Sequence, residues 1–265
     1  MKIKILLFLL IPVFCLNASK SLEASESKPI LLDSKNIPHH VAIIMDGNRR
    51  WAKLNDLSLK EGYLKGAETL GDIIKSSIDL GIKVLTVYAF STENWARQQE
   101  EIDTIIDIFE HCLVYQKQTL QDEGVRLNVI GDLTRFPKKV MDTFYETKKA
   151  TASGKKLDLI LAINYGGRDE IKRAFIKLID DLENKQIKKE DITEDIIATY
   201  LDTKDYKDPD LIIRTAKENR LSNFLLWQAS YSEIYISDVF WPEFTYENFL
   251  KALDDFQKRK RRGGK

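Results

Sequence analysis

Val41-Ala42-Ile43-Ile44-Met45-Asp46-Gly47-Asn48-Arg49-Arg50-Trp51 is the stretch that decides how this chain is read. Five apolar residues run without a break into an acid, a glycine, an amide and two arginines. An unbroken apolar run is the pattern of a parallel strand buried on both faces, because a strand with one wet face alternates. In an open parallel sheet, ligands bind beyond the carboxyl ends of the strands, where Asp46 falls. A carboxylate beside two guanidiniums suits a phosphorylated ligand with a divalent cation. The carboxylate is a hard oxygen ligand, and a guanidinium forks onto two phosphate oxygens. A surface Asp–Arg ion pair explains the same letters, so the rest of the chain must separate the two readings.

The transition recurs downstream. Ile82 to Phe90 reads as a second strand and ends in Ser91-Thr92-Glu93-Asn94-Trp95-Ala96-Arg97. Leu127 to Ile130 makes a short third strand, stopping at Gly131-Asp132. Leu157 to Ile163 is a fourth, followed by Asn164-Tyr165-Gly166-Gly167-Arg168, where a glycine pair ahead of a helix can present backbone N–H groups to an anion. Leu211 to Ile213 is a fifth, ending in Arg214-Thr215, with Arg220 and Ser222 in the loop beyond. Glu233-Ile234-Tyr235-Ile236 opens a sixth.

Helical spacing fills the intervals. Ala67, Leu70, Ile73, Ile74 and Ile78 share a face, closed by Gly81 as a C-terminal cap. Ile102, Ile105, Ile106, Phe109 and Leu113 form a stripe that is either ordinary core or the wall of an apolar channel. Pro137 opens a helix with Val140, Met141 and Phe144 inward. Ile171, Phe175, Leu178 and Leu182 follow the glycine pair, and Thr193 to Leu201 reads as a connecting helix. Thr245 caps a last helix carrying Phe249, Leu253 and Phe256. Ala52 to Lys65 lacks periodicity, and Pro38-His39-His40 reads as loop. Strands alternating with helices predict an α/β fold: a single domain with a largely parallel six-stranded sheet flanked by helices. Such a sheet gathers Arg49, Arg50, Arg97 and Arg214 on one edge, with Arg220 in the loop beyond. Scattered ion pairs have no reason to prefer strand ends, so the phosphorylated-ligand reading gains.

Composition narrows the class. Lys+Arg and Asp+Glu both number 41 in 265 residues, so no overall charge points to nucleic acid or an anionic membrane. Cys15 and Cys112 are too few for a disulfide framework or a zinc site. At the N-terminus, Lys2 and Lys4 precede an apolar run from Ile5 to Leu16 and then Asn17-Ala18-Ser19, the layout of a signal peptide. The run is shorter than the ~20 residues that span a bilayer. Residues 1–36 therefore read as a signal-like apolar segment and linker, and 37–265 as one domain.

These blocks together resemble the cis-prenyltransferases, the family of undecaprenyl diphosphate synthase. The resemblance rests on His40 to Trp51, Phe90-Ser91-Thr92-Glu93-Asn94-Trp95, Asn164 to Arg168, Asp210-Leu211-Ile212-Ile213-Arg214-Thr215, and Arg220-Leu221-Ser222-Asn223-Phe224-Leu225-Leu226-Trp227-Gln228 with Glu233 beyond. It implies a homodimeric enzyme with an apolar tunnel that adds isopentenyl diphosphate repeatedly to an allylic diphosphate primer such as farnesyl diphosphate. By the same resemblance, Asp46 is the catalytic aspartate and a Mg²⁺ ligand, and Asn94 assists proton removal. Gly47, Asn48, Arg49, Arg50 and Trp51 line the primer diphosphate site, and Ser91, Thr92, Glu93, Trp95 and Arg97 extend the substrate site. Arg214, Arg220, Leu221 and Ser222 hold isopentenyl diphosphate, and Glu233 is the second Mg²⁺ carboxylate. A bulky Leu157 resembles long-chain members, whose tunnel floor limits the product. Arg262-Gly263-Gly264 resembles a tail that reaches the neighbouring subunit's phosphates.

The chain departs from the family pattern at four places. Arg49 stands where many bacterial members have glycine, Leu59 for a usual arginine, Tyr63 for a usual histidine, and Ala216-Lys217 for a small Ser/Gly-type pair. The expected location is cytoplasmic and peripheral to the membrane through the lipid product, with an organelle or an anchor through residues 1–16 as the other readings. Two other functions stay in view. One is a Mg²⁺-dependent phosphohydrolase, which Asn48 disfavours by replacing the second acid of a D-x-D start. The other is a non-catalytic partner subunit, which the presence of Asp46, Asn94 and Glu233 disfavours.

Overall fold

Among the described residues, six parallel strands in the order β3-β4-β2-β1-β5-β6 form one sheet. The structure, a computed structural model, describes residues 30–262. The apolar run to Leu16, Cys15 and Gly263-Gly264 of the tail lie outside the described residues. In chain order the elements are β1 (His40–Ile44), α1 (Asn48–Leu54), α2 (Leu59–Asp79), β2 (Val84–Ser91), α3 (Gln99–Asp122), β3 (Val125–Ile130) and α4 (Lys138–Ala150). Then come β4 (Leu157–Tyr165), α5 (Gly167–Glu183), α6 (Glu194–Ala198), β5 (Leu211–Arg214), β6 (Glu233–Ile236) and α7 (Tyr246–Lys258). The α/β reading holds, and so does each strand.

β1 lies between β2 and β5, with Ile44 level with Tyr88 on one side and Arg214 on the other. Every residue of β1 is buried, as an unbroken apolar run requires. Its odd-numbered side chains, Val41 and Ile43, pack with α2, α3, α4 and α7 in the main core. Ala42 and Ile44 face a smaller cluster closed by Tyr165, Phe224 and Leu225. The β1–α1 turn, the turn after β2 (Thr92–Ala96) and the loop after β5 all open on the same edge.

Several elements differ from the sequence reading, each for a local reason. α2 begins at Leu59, inside the stretch that lacks periodicity. Ser58 accepts a hydrogen bond from the Glu61 amide while the Glu61 carboxylate accepts one from the Ser58 amide at 2.8 Å, a capping box that starts the helix before its apolar face. His40 belongs to β1 rather than to a loop. Its Nδ1 faces the Lys207 carbonyl at 2.7 Å and its Nε2 the Thr86 hydroxyl at 2.8 Å. A carbonyl only accepts, so Nδ1 carries the proton and Nε2 accepts from Thr86. In α5 the inward line is Gly167, Glu170, Ala174 and Leu178, while Phe175 faces outward with Ile176 and Ile179. Residues Asp33 to Asn36, read as linker, are tied to α7 through Gln257, whose amide donates to the Asp33 and Asn36 carbonyls at 2.8 and 3.0 Å. Among the described residues no helix is long and apolar enough to cross a membrane.

Candidate active site

A cavity of about 1390 Å³ runs from the carboxyl edge of the sheet down between the sheet, α2 and α3. Its mouth is polar and its depth apolar. The mouth is built from the ends of β1, β2 and β5, which is why three separate blocks of sequence meet there.

Asp46 sits at the centre of the mouth. Its amide donates to the Thr215 hydroxyl at 2.9 Å, and that hydroxyl donates back to the Asp46 carbonyl at 2.6 Å, so the turn after β1 is pinned to the end of β5. One carboxylate oxygen accepts from Arg214 at 2.8 Å and the other from Arg50 at 3.2 Å. Arg214 is 4% exposed and also donates to the Ser222 hydroxyl at 2.7 Å and to the Arg220 carbonyl. Its Nε has no protein acceptor. Gly47 makes the turn possible on two counts. Its φ is +109°, and a Cβ there would lie 2.6 Å from the Phe240 ring, so an L side chain is excluded by strain and by space.

Carboxylates answer every guanidinium at the mouth. Arg50 pairs with Glu218 at 2.7 Å as well as with Asp46, and Arg220 pairs with Glu218. The two arginines hold the Glu218 carboxyl below its usual range, Arg220 contributing most. Arg97 donates to Glu101 at 2.7 Å and Arg49 lies 3.2 Å from the same carboxylate. Tyr63 donates to Glu101 at 2.9 Å and accepts from Arg97 at 2.8 Å. Burial pushes the Tyr63 phenol upward, so it stays a neutral donor. Glu93 accepts from the Asn223 amide at 2.9 Å. Burial opposes its ionisation, yet hydrogen bonds from Asn223, its own backbone, Ser91 and Thr92 outweigh that and hold the carboxyl below its usual range. Asn94 accepts from the Ser91 amide at 3.0 Å.

Of the residues singled out in the sequence, Asp46, Gly47, Asn48, Arg49, Arg50, Ser91, Glu93, Asn94, Arg97, Arg214, Arg220 and Ser222 all line the cavity. Trp51, Thr92, Trp95 and Leu221 are not among its lining residues. The Trp51 indole donates to Glu243 and the Trp95 indole to Asn164, Thr92 packs on Gly166, and Leu221 packs on the smaller core. They frame the site. Glu233 is not brought to Asp46 within the chain. It is level with Leu211 and Val41 at the entry edge of the sheet, three strand rises of about 3.3 Å each short of Arg214, and it pairs with Arg259 at 2.8 Å. A cation shared by Asp46 and Glu233 of one chain is therefore not the arrangement here. The physical reason is register: Glu233 starts its strand, whereas Asp46 follows the end of its own.

Asn223, Glu101 and Glu218 were missed. Glu101 lies on a helix face and carries no signal apart from its partners, and Glu218 sits in a polar loop. Asn223 stood inside a quoted block. The glycine pair also differs from its reading: the Gly167 amide donates to the Asn223 carbonyl at 2.7 Å and the Arg168 amide to the Asn223 side chain at 2.9 Å. Those donors are taken and hold no anion.

Below the mouth the wall is apolar. Ile105, Phe109 and Leu113 of the expected α3 stripe line it, while Ile102 is buried in the core, so both readings of that stripe hold in part. From β4, Leu159 and Leu161 line the cavity. Leu157, next on the same face, is 2% exposed and stands just beyond that wall.

The residues at the mouth suit a magnesium ion that arrives with a diphosphate. Among the described residues no group of three or more His, Cys, Asp or Glu is placed to hold a cation alone. Mg²⁺ is commonly bound by one or two carboxylates plus substrate phosphates, and Asp46 is a carboxylate facing the cavity beside five arginines.

Residues 44–264 match the family model described as putative undecaprenyl diphosphate synthase. The chain is 48% identical to an isoprenyl transferase of Chlamydia pneumoniae over 235 residues, which is 87% of this chain and 94% of the relative. It is 46% identical to an isoprenyl transferase of Clostridium tetani over 233 residues, 88% of this chain and 91% of that one. Among solved structures, lavandulyl diphosphate synthase from Lavandula x intermedia in complex with dimethylallyl diphosphate superposes with a TM-score of 0.84 at 35% identity, covering 87% of this chain and 100% of that one. A probable undecaprenyl diphosphate synthase from Campylobacter jejuni gives 0.73 at 35% identity with the same coverages. With the strand-end arginines, the aspartate and the apolar cavity on one edge of a parallel sheet, these likenesses show that the chain belongs to the undecaprenyl diphosphate synthase family and is a cis-prenyltransferase enzyme.

Proposed function

We propose that this prenyltransferase extends an allylic diphosphate primer, farnesyl diphosphate in the first instance, by repeated cis condensation with isopentenyl diphosphate to a long-chain polyprenyl diphosphate such as undecaprenyl diphosphate. One observation carries the reading: Asp46, Arg50 and Arg214 meet at the mouth of a deep apolar cavity. A polar end for the diphosphates and an apolar depth for a growing hydrocarbon are what this reaction needs, and a phosphohydrolase has no use for the depth.

In this reading Gly47, Asn48, Arg49, Arg50 and Arg97 receive the primer diphosphate, and Arg214, Arg220 and Ser222 receive isopentenyl diphosphate. The allylic C–O bond breaks as negative charge develops on the departing diphosphate. Guanidiniums fixed beforehand stabilise that charge without reorganising. The double bond of isopentenyl diphosphate attacks the allylic carbon, and the proton lost from the new allylic position leaves with help from Asn94. Magnesium, held by Asp46 and diphosphate oxygens, would supply further neutralisation of the leaving group. Within one chain Glu233 does not reach that set. The Tyr63 hydroxyl and Arg49 stand in for part of the positive and donor character absent at Leu59. The enzyme acts as a homodimer and touches the membrane through its product.

The test is incubation with Mg²⁺, farnesyl diphosphate and labelled isopentenyl diphosphate. Long lipid product supports the reading, and free phosphate alone overturns it. Asp46→Asn, which keeps the shape and removes the charge, should lower kcat at least about a hundredfold. Unchanged elongation would remove Asp46 from the mechanism.

A further inference from the structure

Asn223 joins three strand ends, and none of the roles assigned above belongs to it. Its carbonyl accepts from the Gly167 amide at 2.7 Å and its side-chain oxygen from the Arg168 amide at 2.9 Å, both at the end of β4. Its side-chain amide donates to Glu93 at 2.9 Å, beyond the end of β2. Its chain neighbour Ser222 accepts from Arg214, the last residue of β5, at 2.7 Å. Each of these groups is thus spent on a different partner, and the residue also lines the cavity.

The backbone around it is costly. Ser222, Asn223 and Leu225 have φ of +50°, +65° and +46°, a region that side chains other than Gly, Asn and Asp seldom adopt. Asn is among the least penalised there, so the position favours it twice, by conformation and by its paired donor and acceptor. The glycines opposite make room for it. A Cβ on Gly166 would lie 2.6 Å from the Asn223 amide nitrogen, and one on Gly167 would lie 2.8 Å from Leu226. Behind the loop, the Gln228 amide donates to Glu170 at 3.0 Å and the Tyr165 hydroxyl to the same carboxylate at 2.6 Å, which fastens the loop to α5.

We propose that Asn223 is a positioning residue that sets Ser222 and Arg214 against Glu93 so that the second diphosphate site is formed before its ligand arrives. The inference rests on the function proposed above and deepens it. Without the bridge, the strained loop relaxes, and the Ser222 hydroxyl and the Arg214 guanidinium lose their fixed spacing. On the Asp46 and Arg50 side of the mouth, Thr215 and Glu218 add holds that do not pass through Asn223, beside the bond from Arg214 to Asp46. The damage should therefore fall on isopentenyl diphosphate more than on the primer.

The experiment compares wild type with N223D, N223G and N223D/E93Q in the full chain. N223D keeps the acceptor for Arg168 but sets a carboxylate against Glu93. In the double variant, the new glutamine amide donates to the new carboxylate, which restores the bridge with reversed polarity. N223G keeps the positive φ and the Gly167 bond while losing both side-chain bonds. Loss of a hydrogen bond to a charged group predicts that N223D raises the KM for isopentenyl diphosphate roughly tenfold or more, with kcat and the KM for farnesyl diphosphate changing far less. N223G should behave likewise, and N223D/E93Q should recover most of the N223D loss, to the level of E93Q alone measured alongside. Binding of inorganic diphosphate by calorimetry should weaken and recover in the same order. Unchanged KM in both single variants, or a loss shared by every parameter that the double variant does not recover, overturns the proposal. If wild type makes no prenyl product, the functional reading fails instead, and the diphosphate affinities still decide whether the bridge shapes the site.

Discussion

At the scale of single residues, burial separates the useful letters from the misleading ones. His40 reads in the sequence as part of the Pro38-His39-His40 loop. Its function is structural: a neutral imidazole satisfied by Lys207 and Thr86. Burial pushes its pKa down to about 4, against a weaker opposing pull from the Lys207 carbonyl and Asp210. The unfolded chain takes up that proton at about 6.5, so its contribution is fully present above that pH and is lost as pH falls towards the folded value. Urea unfolding from neutral pH down to the folded value should reveal a loss of about 3 kcal/mol from this group. The slope should flatten in His40→Gln, and an equal slope in both proteins would contradict the burial argument. For Glu233 the letters say that an acid opens a strand but not which edge of the sheet that opening faces, and within one chain it faces away from Asp46. Asp46 was legible because it follows an apolar run, which fixes the edge.

At the scale of elements, the apolar runs were read correctly since a strand buried on both faces has one simple pattern. Helix starts were harder. The Ser58-x-x-Glu61 capping box is present in the letters, but apolar periodicity does not mark it, because Lys60 and Glu61 of the first turn of α2 are exposed. Replacing Ser58 with Ala should cost about 1 kcal/mol in unfolding free energy, and no cost would mean that the cap does not start the helix. The loop after β5 carries a strain that composition only hinted at. Ala216 and Lys217 have φ of +67° and +57°, held there by amide bonds to the Val239 and Ser237 carbonyls at 2.7 and 2.9 Å. Ala216→Gly removes a disfavoured conformation, with a predicted gain of about 0.5 kcal/mol after the added freedom of the unfolded chain is counted. A thermal or urea midpoint that falls would show that the loop is relaxed as it stands.

At the scale of the whole molecule, the two faces of the sheet do different work. One carries the helices that enclose the cavity, and the other is covered by α5 and the loop that holds Ser222. On α5, Phe175, Ile176 and Ile179 are each about half exposed, at 51, 52 and 47%, which suits burial against a second copy of the chain. For the homodimer proposed above, a contact through this face predicts that Phe175→Glu with Ile179→Glu shifts sedimentation from dimer to monomer; a species of unchanged size would place the contact elsewhere. At the far end of the cavity, Leu157→Ala should open space beyond Leu159 and shift the product distribution to longer chains. The parallel fold and the arginine edge were readable from sequence, whereas the pairing of those arginines was not, since it depends on where Glu101 and Glu218 come to rest. That pairing carries a further consequence. Diphosphate must displace protein carboxylates rather than meet bare cations, so binding is a swap of counterions. Added salt weakens the resting pairs along with the new ones, and affinity should decline with ionic strength far less steeply than the five guanidiniums at the mouth would suggest.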